Sequence, residues 1–293
     1  MRISTSMIYN NLLSGIRNQQ TIQNDGNAKI ASGTRFQTPA QSGLDYKVSL
    51  DIRHAQSATQ NSIDASKTVE SRLNISQTLL NNMGNILKRA QTLAVQQSAG
   101  QLSPSERQAA LQEMNQLANQ FLSDANQTWQ GQSLFAGTAV DKPAFTDDGT
   151  GNISYTGSNQ DRIVSISEHQ QVVSNIRGDS AAFSAAFTAM KDFKTALQNN
   201  NQTAISAALG ALNSAGDGVI NLTSDAGARL SAMQFTRTSF EDMKTNLAKR
   251  LNAHEAADIP AVVAQMQQSS IALQAAYNQI AQLKSLSLTN YLR

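Results

Sequence analysis

Residues 203–254 read TAISAALGALNSAGDGVINLTSDAGARLSAMQFTRTSFEDMKTNLAKRLNAH. Ile205, Leu212, Val219, Ala226, Met233, Phe240 and Leu247 recur every seven residues, accompanied by Leu209, Leu230 and Leu251. A seven-residue apolar repeat keeps one seam of a helix facing a partner helix. At about 1.5 Å per residue, some fifty residues of helix span roughly 75 Å. A helix that long cannot bury its own stripe, so it must lie against a helix expected at 48–98, one expected at 104–130, or both.

The partners are legible upstream. Between Val48 and Ser98, the positions Val69, Leu73, Leu80, Met83, Leu87, Ala90 and Ala94 alternate by threes and fours, with Ser76 in the one polar slot. After Ala99-Gly100 comes Ser103-Pro104-Ser105-Glu106. Ser103 can cap a helix, Pro104 suits its first position, and Glu106 completes a capping box. That helix carries Leu111, Met114, Leu117, Phe121 and Leu122, and its end is expected near Gln130. A further helix over 180–198 places Phe183, Phe187, Met190 and Leu197 on one face, and Asn199-Asn200-Asn201 ends it.

Residues 131–178 change character. The turn Asp147-Asp148-Gly149-Thr150-Gly151, a second turn at Gly157-Ser158-Asn159-Gln160-Asp161, and the short runs ISY and IVSIS are hairpin signals. Trp129 and Phe135 flank the change from helix to strand and are expected to pack under the β region.

The two ends read as a matched pair of helices. Residues 1 to about 32 carry Ile3, Met7, Leu12, Leu13, Ile16, Ile22, Ala28 and Ile30; Gly33, Pro39 and Gly43 then break the pattern. The last helix begins near Ile259-Pro260 and carries Val262, Val263, Met266, Leu273, Ala276, Tyr277, Ile280 and Leu283, while the only charges after Asp258 are Lys284 and Arg293. Such a helix is marginal alone and its stripe would stand exposed. Its other faces, with Gln265, Gln267, Gln268, Ser269 and Ser270, permit close packing without burying charge. Spacing alone leaves two readings open, an ordinary monomeric bundle or helices that pack on neighbouring subunits.

The expected fold is therefore mainly α: a long antiparallel helical rod with coiled-coil-like packing, a small inserted β-hairpin subdomain, and paired N- and C-terminal helices. The expected domains are 1–45 with 255–293 for assembly, 46–130 with 179–254 for the rod, and 131–178 for the β subdomain.

Composition agrees with association. Of the 293 residues, 40% are apolar and 5% aromatic, so Ala, Leu, Ile and Met supply the core. Only 15% are charged, against roughly 25% in an average soluble domain, while Gln and Asn number 31 and 25. A nearly neutral surface of net charge +2 repels its own copies weakly. The basic residues are scattered, which argues against nucleic acid. Without cysteine there are no disulfides, thiolate metal sites or cysteine nucleophiles. His54, His169 and His254 are far apart, Asp147-Asp148 lacks the spaced carboxylates of a calcium loop, and no phosphate loop or nucleophile elbow occurs. No catalytic residue, cofactor or metal is expected. The opening MRISTSMIYNNLLSGIRNQQ never offers seven consecutive apolar residues, which suits neither a secretory signal peptide nor a membrane span.

Five motifs in order carry a family resemblance. MRISTSMIY at the start, SGTRF at 32–36 followed by Pro39, GQSLFAGTAVDKPAF at 131–145, IRGDSAAF at 176–183, and Leu286-Ser287-Leu288-Thr289-Asn290-Tyr291-Leu292 resemble the flagellin superfamily, in the version carried by its hook-filament junction family. Gly227-Ala228-Arg229-Leu230 falls where that family has a similar run. Two departures stand out: Ala40-Gln41-Ser42-Gly43 replaces the family's acidic pair after Pro39, which puts in doubt any turn contact that relies on carboxylates, and Thr289 is an extra residue in the tail.

The resemblance implies a structural component of the bacterial flagellum in the layer between the hook-associated region and the filament. Implied partners are copies of itself in a ring-like layer, the adjoining hook-associated protein and flagellin, and an export chaperone for the C-terminal helix, with no nucleic acid and no membrane insertion. It would act outside the cell, exported by the flagellar secretion apparatus without a cleaved signal peptide. The subunit-assembly contacts expected are Ile3, Met7, Leu12, Ile16, Met266, Leu273, Tyr277, Ile280, Leu283 and Tyr291. A filament-forming flagellin and a cytoplasmic helical scaffold are the alternatives.

Overall fold

The computed structural model describes the backbone of residues 2–98 and 103–291 and the side chains of 7–98 and 103–283. Six helices and six short strands follow in the order α1 (Arg2–Ser32), α2 (Gly43–Ser98), α3 (Pro104–Ala125), β1 (Thr128–Trp129), β2 (Gln132–Ser133), β3 (Phe145–Asp147), β4 (Ile153–Tyr155), β5 (Ile163–Ser167), β6 (Gln170–Val173), α4 (Ala181–Gln198), α5 (Gln202–Glu255) and α6 (Ile259–Tyr291). The fold is mainly α with a small β insertion. It divides into two compact units, Met1–Ser57 with Lys244–Arg293, and Ala58–Met243.

In the second unit the α2 seam behaves as its spacing requires. Val69, Leu73, Ser76, Leu80, Met83, Leu87, Ala90 and Ala94 are all buried, and on α5 the heptad positions Ile205, Leu212, Val219, Ala226 and Met233 are buried with them. Close approach of the helices shows at Gly216, where a Cβ would meet the Gln91 amide at 2.8 Å; that amide donates to the Leu212 carbonyl at 3.0 Å. α3 starts on the Ser103 cap, with the Ser103 side chain accepting from the Glu106 N–H, the Glu106 carboxylate accepting from the Ser103 N–H, and Pro104 in the first turn.

Two boundaries differ from the sequence expectation. α2 begins at Gly43 rather than near Val48, because the Ser42 carbonyl accepts the Tyr46 N–H and Asp45 favours the first turn electrostatically. α3 ends at Ala125 rather than near Gln130. The Asn126 side chain leaves the helix to pair with both backbone groups of Phe145, at 2.8 Å each. Gln130 and Gly131 then take φ of 52° and 74°, the twist that suits a two-residue hairpin turn, and join β1 to β2.

The β region is three separate two-stranded hairpins, β1-β2, β3-β4 and β5-β6. The Asp147–Gly151 turn does close a hairpin, but the 157–161 turn does not; it connects β4 to β5, which belong to different pairs. A chain of rings fastens the insertion to the helices: Phe121 meets Phe187 edge-on at 5.0 Å, and Phe145 lies 5.1–5.5 Å from Phe187, Phe183 and Tyr155. Phe135 is fully buried against Phe183, and Trp129 packs on the same core.

The β3-β4 turn is built on carboxylates. Asp148 accepts from the Thr150 hydroxyl, the Asn152 amide and the Thr150 N–H, which together hold its carboxyl well below the usual range. A depressed folded-state pKa gives stabilisation that is complete above the unfolded value of about 4 and is lost as pH falls toward the folded one. Protection of the Thr150 and Asn152 amides, taken relative to their intrinsic exchange rates, is therefore expected to fall below about pH 4, and Asp148→Asn to flatten that dependence, as measured by hydrogen exchange across the acid range.

Candidate assembly surface

The first unit is built on α1 and α6. Their charge-poor stripes pair antiparallel: the Ser269 hydroxyl donates to the Gln19 carbonyl at 3.0 Å, the Gln20 amide reaches the Tyr277 hydroxyl at 3.4 Å, and Gly26 lies beneath Met266 and Val262. At Gly26 a Cβ would stand 2.6 Å from Met266 Cγ and 2.7 Å from its sulfur. The run Asn24-Asp25-Gly26-Asn27 reads locally as a turn, yet it lies inside α1 because Asp25 pairs with Lys29 one turn on at 2.6 Å and the glycine lets α6 come close.

Met266 can swing away from one added methyl. Gly26→Ala is expected to be nearly neutral, since about 1 kcal/mol of helix propensity offsets the rotamer change. Gly26→Leu should cost about 1–3 kcal/mol by overpacking. Hydrogen exchange across α1 and α6 of the full chain checks this, with protection falling in the leucine variant alone.

Beyond α1 the chain is pinned to the end of α5. Gly33 ends the helix with φ +69°, Thr34 bridges Ala256, the Arg35 N–H donates to the Glu255 carbonyl at 2.7 Å, and the Ala257 N–H donates to the Gly33 carbonyl at 3.0 Å. Arg53 grips both oxygens of Glu255 at 2.9 Å. His254 stands edge-on to the buried Phe36 at 5.8 Å, with Nε2 3.0 Å from the Asp45 carbonyl. The turn after Pro39 needs no acidic pair. The Gln41 amide oxygen accepts from the N–H groups of Gln37 and Thr38, and its nitrogen donates to Asp25.

Of the expected contact residues, Ile16 is buried inside the unit, and Leu12, Met266, Leu273, Ile280 and Leu283 are half-buried. Met7 and Tyr277 stay exposed at 67% and 50%, joined by Ile8, Tyr9, Ile30, Val263 and Ile271. The side chains of Ile3 and Tyr291 lie outside the described residues. One stripe of each helix is thus spent on its mate, and several large apolar side chains of both helices are left exposed. Gly26 and Ser269, where the two helices touch, carry no apolar signal, so hydrophobic periodicity passes over them. Among the described residues no group of three or more His, Cys, Asp or Glu could hold a metal ion, and no helix is long and apolar enough to cross a membrane.

Residues 3–140 match the bacterial flagellin N-terminal helical region. The chain is 25% identical over 152 residues to flagellar hook-associated protein 3 of Salmonella typhimurium, and 24% identical over 149 residues to that of Escherichia coli. Those matches cover 52% and 50% of this chain, and they span about half the length of the curated relatives, 48% and 47%. Its fold is similar to the crystal structure of Bacillus cereus FlgL, with TM-score 0.60 and 26% identity, covering 69% of this chain and 99% of that one. A structure of a flagellar hook-associated protein from Vibrio parahaemolyticus superposes with TM-score 0.65 at 17% identity, covering 74% and 100%, a likeness of fold.

Proposed function

We propose that this chain is a structural, non-enzymatic subunit of the bacterial flagellum that forms the junction layer between the hook-associated region and the filament. The observation that carries the reading is the α1-α6 pair: two charge-poor helices satisfy each other along one stripe and leave Met7, Ile8, Val263, Ile271 and Tyr277 uncovered. Large apolar side chains left exposed on a charge-poor helix pair are what contact with a neighbouring subunit would cover. The similarity to hook-associated protein 3 supplies the setting.

In this reading, 1–45 with 255–293 is the assembly module, and its partners are copies of the chain in a ring-like layer, the adjoining hook-associated protein, and flagellin. Before assembly a chaperone covers α6, and the flagellar secretion apparatus exports the chain without cleaving a signal peptide. The test is to delete the gene, restore it in full or lacking codons 259–293, and follow filament growth and the protein recovered in sheared flagella. The full chain should restore filaments and appear in the sheared fraction, and the truncated one should do neither. Filament growth supported by the truncated chain overturns the proposal, and purified chain that polymerises alone into long filaments favours a flagellin instead.

A further inference from the structure

In the second unit, Arg72 of α2 is 2% exposed and reaches across to donate from Nη2 to the Ser133 carbonyl at 2.8 Å. Its Nε and Nη1 are buried without a hydrogen-bond partner, and so are the Ser133 hydroxyl and the Asn175 amide nitrogen; these are four of the six such atoms among the described residues. The residues that carry them are linked through their neighbours. Gln132, next to Ser133, accepts from Arg162 Nη1 at 2.6 Å, the Arg162 N–H donates to the Asn175 side-chain oxygen at 2.8 Å, and Arg229 Nη1 donates to the Asn175 carbonyl at 3.2 Å.

The unmet groups are donors, the serine hydroxyl being able to serve as one, so what they lack is an acceptor. They also lack negative charge. Burial, and after it the charge of Arg162, lowers Arg72 to about 10, which leaves it a cation at neutral pH, and no carboxylate stands within ion-pair distance of it among the described residues. Asp225, the acid beside Arg229, is engaged by it at 2.8 Å. A buried guanidinium is retained only when its charge and N–H groups are met.

We infer that this patch is a binding site for one small dehydrated anion of the halide class, held by Arg72, Ser133 and Asn175. Each of the four atoms is sealed from solvent, which favours a monatomic ion over phosphate. The ion ties α2 to the β2 hairpin and to the chain leaving β6, holding the β insertion on the helices without a protein carboxylate.

Bromide is the probe. Crystals of the full chain grown in sodium bromide should show an anomalous peak within about 3.5 Å of Arg72 Nε or Nη1, hydrogen-bonding range for a larger acceptor. At fixed ionic strength, bromide should raise the Tm over fluoride, by about 2–4 °C at ten times the Kd. Arg72→Met should abolish both the peak and the rise, and should that variant not fold, Arg162→Gln should weaken them. A water in place of the peak, bromide bound only elsewhere, or a rise that persists in Arg72→Met would overturn the assignment.

Discussion

Gly137→Ala is expected to lower the stability of the second unit by about 3–5 kcal/mol, among the largest effects a single methyl can have here. Gly137 sits at φ +65° between the fully buried Ala136 and the β4-β5 connection. A Cβ there would stand 2.1 Å from the Ser158 carbonyl and 2.9 Å from that of Gln160. Both obstacles are backbone, and the Ser158 N–H donates to the Ala136 carbonyl at 2.9 Å, so that segment cannot retreat without losing a bond. Left-handed strain adds about 1–2 kcal/mol. Gly149→Ala separates the two costs, because its φ is +83° but nothing lies within 4 Å of the added methyl; it should lose only the strain. Urea unfolding followed by Trp129 fluorescence measures both, and equal midpoints would show that the carbonyl contact is not rigid.

Phe183→Ala is expected to cost about 3–5 kcal/mol. The ring is fully buried and lies 5.3 Å from both Phe135 and Phe145, so its loss leaves a cavity and removes two aromatic pairs, each of about 0.5–1.5 kcal/mol. Phe235→Ala is the comparison: that ring on α5 is 78% exposed, and its removal should change the stability of the free chain by no more than about 0.5 kcal/mol. Calorimetry of both variants beside the parent chain distinguishes them. A small loss at Phe183 would mean that the helix-to-insertion junction repacks freely.

The seams of α2 and α5 were legible because a buried helical stripe imposes a period that residues such as Leu80, Leu87, Leu212 and Val219 display in one dimension. The Ser103 start of α3 was legible for the same local reason, since a capping box lies within four residues. The end of α3 was not. Asn126 leaves the helix to satisfy Phe145, nineteen residues on, and no local pattern announces that exchange. The 157–161 turn likewise has hairpin chemistry but is claimed by Ala136, whose carbonyl takes the Ser158 N–H from a distant part of the chain.

At the assembly surface the division is similar. The apolar positions Leu12, Ile16, Met266, Leu273 and Ile280 could be named from spacing, but which of them the chain spends on itself could not. Burial of Ile16 and exposure of Met7 and Tyr277 depend on how α1 and α6 are rotated against each other. That rotation sets Gly26 under Met266 and the Ser269 hydroxyl on the Gln19 carbonyl. The sequence by itself determined that long helices must pair, where their seams lie and that the ends want partners, because periodicity and charge are local properties of a chain. Only the tertiary structure decided which apolar side chains stay uncovered, how Gln41 holds the turn before α2, and that Arg72 lies buried with no carboxylate against it among the described residues, because each depends on groups brought together from distant segments.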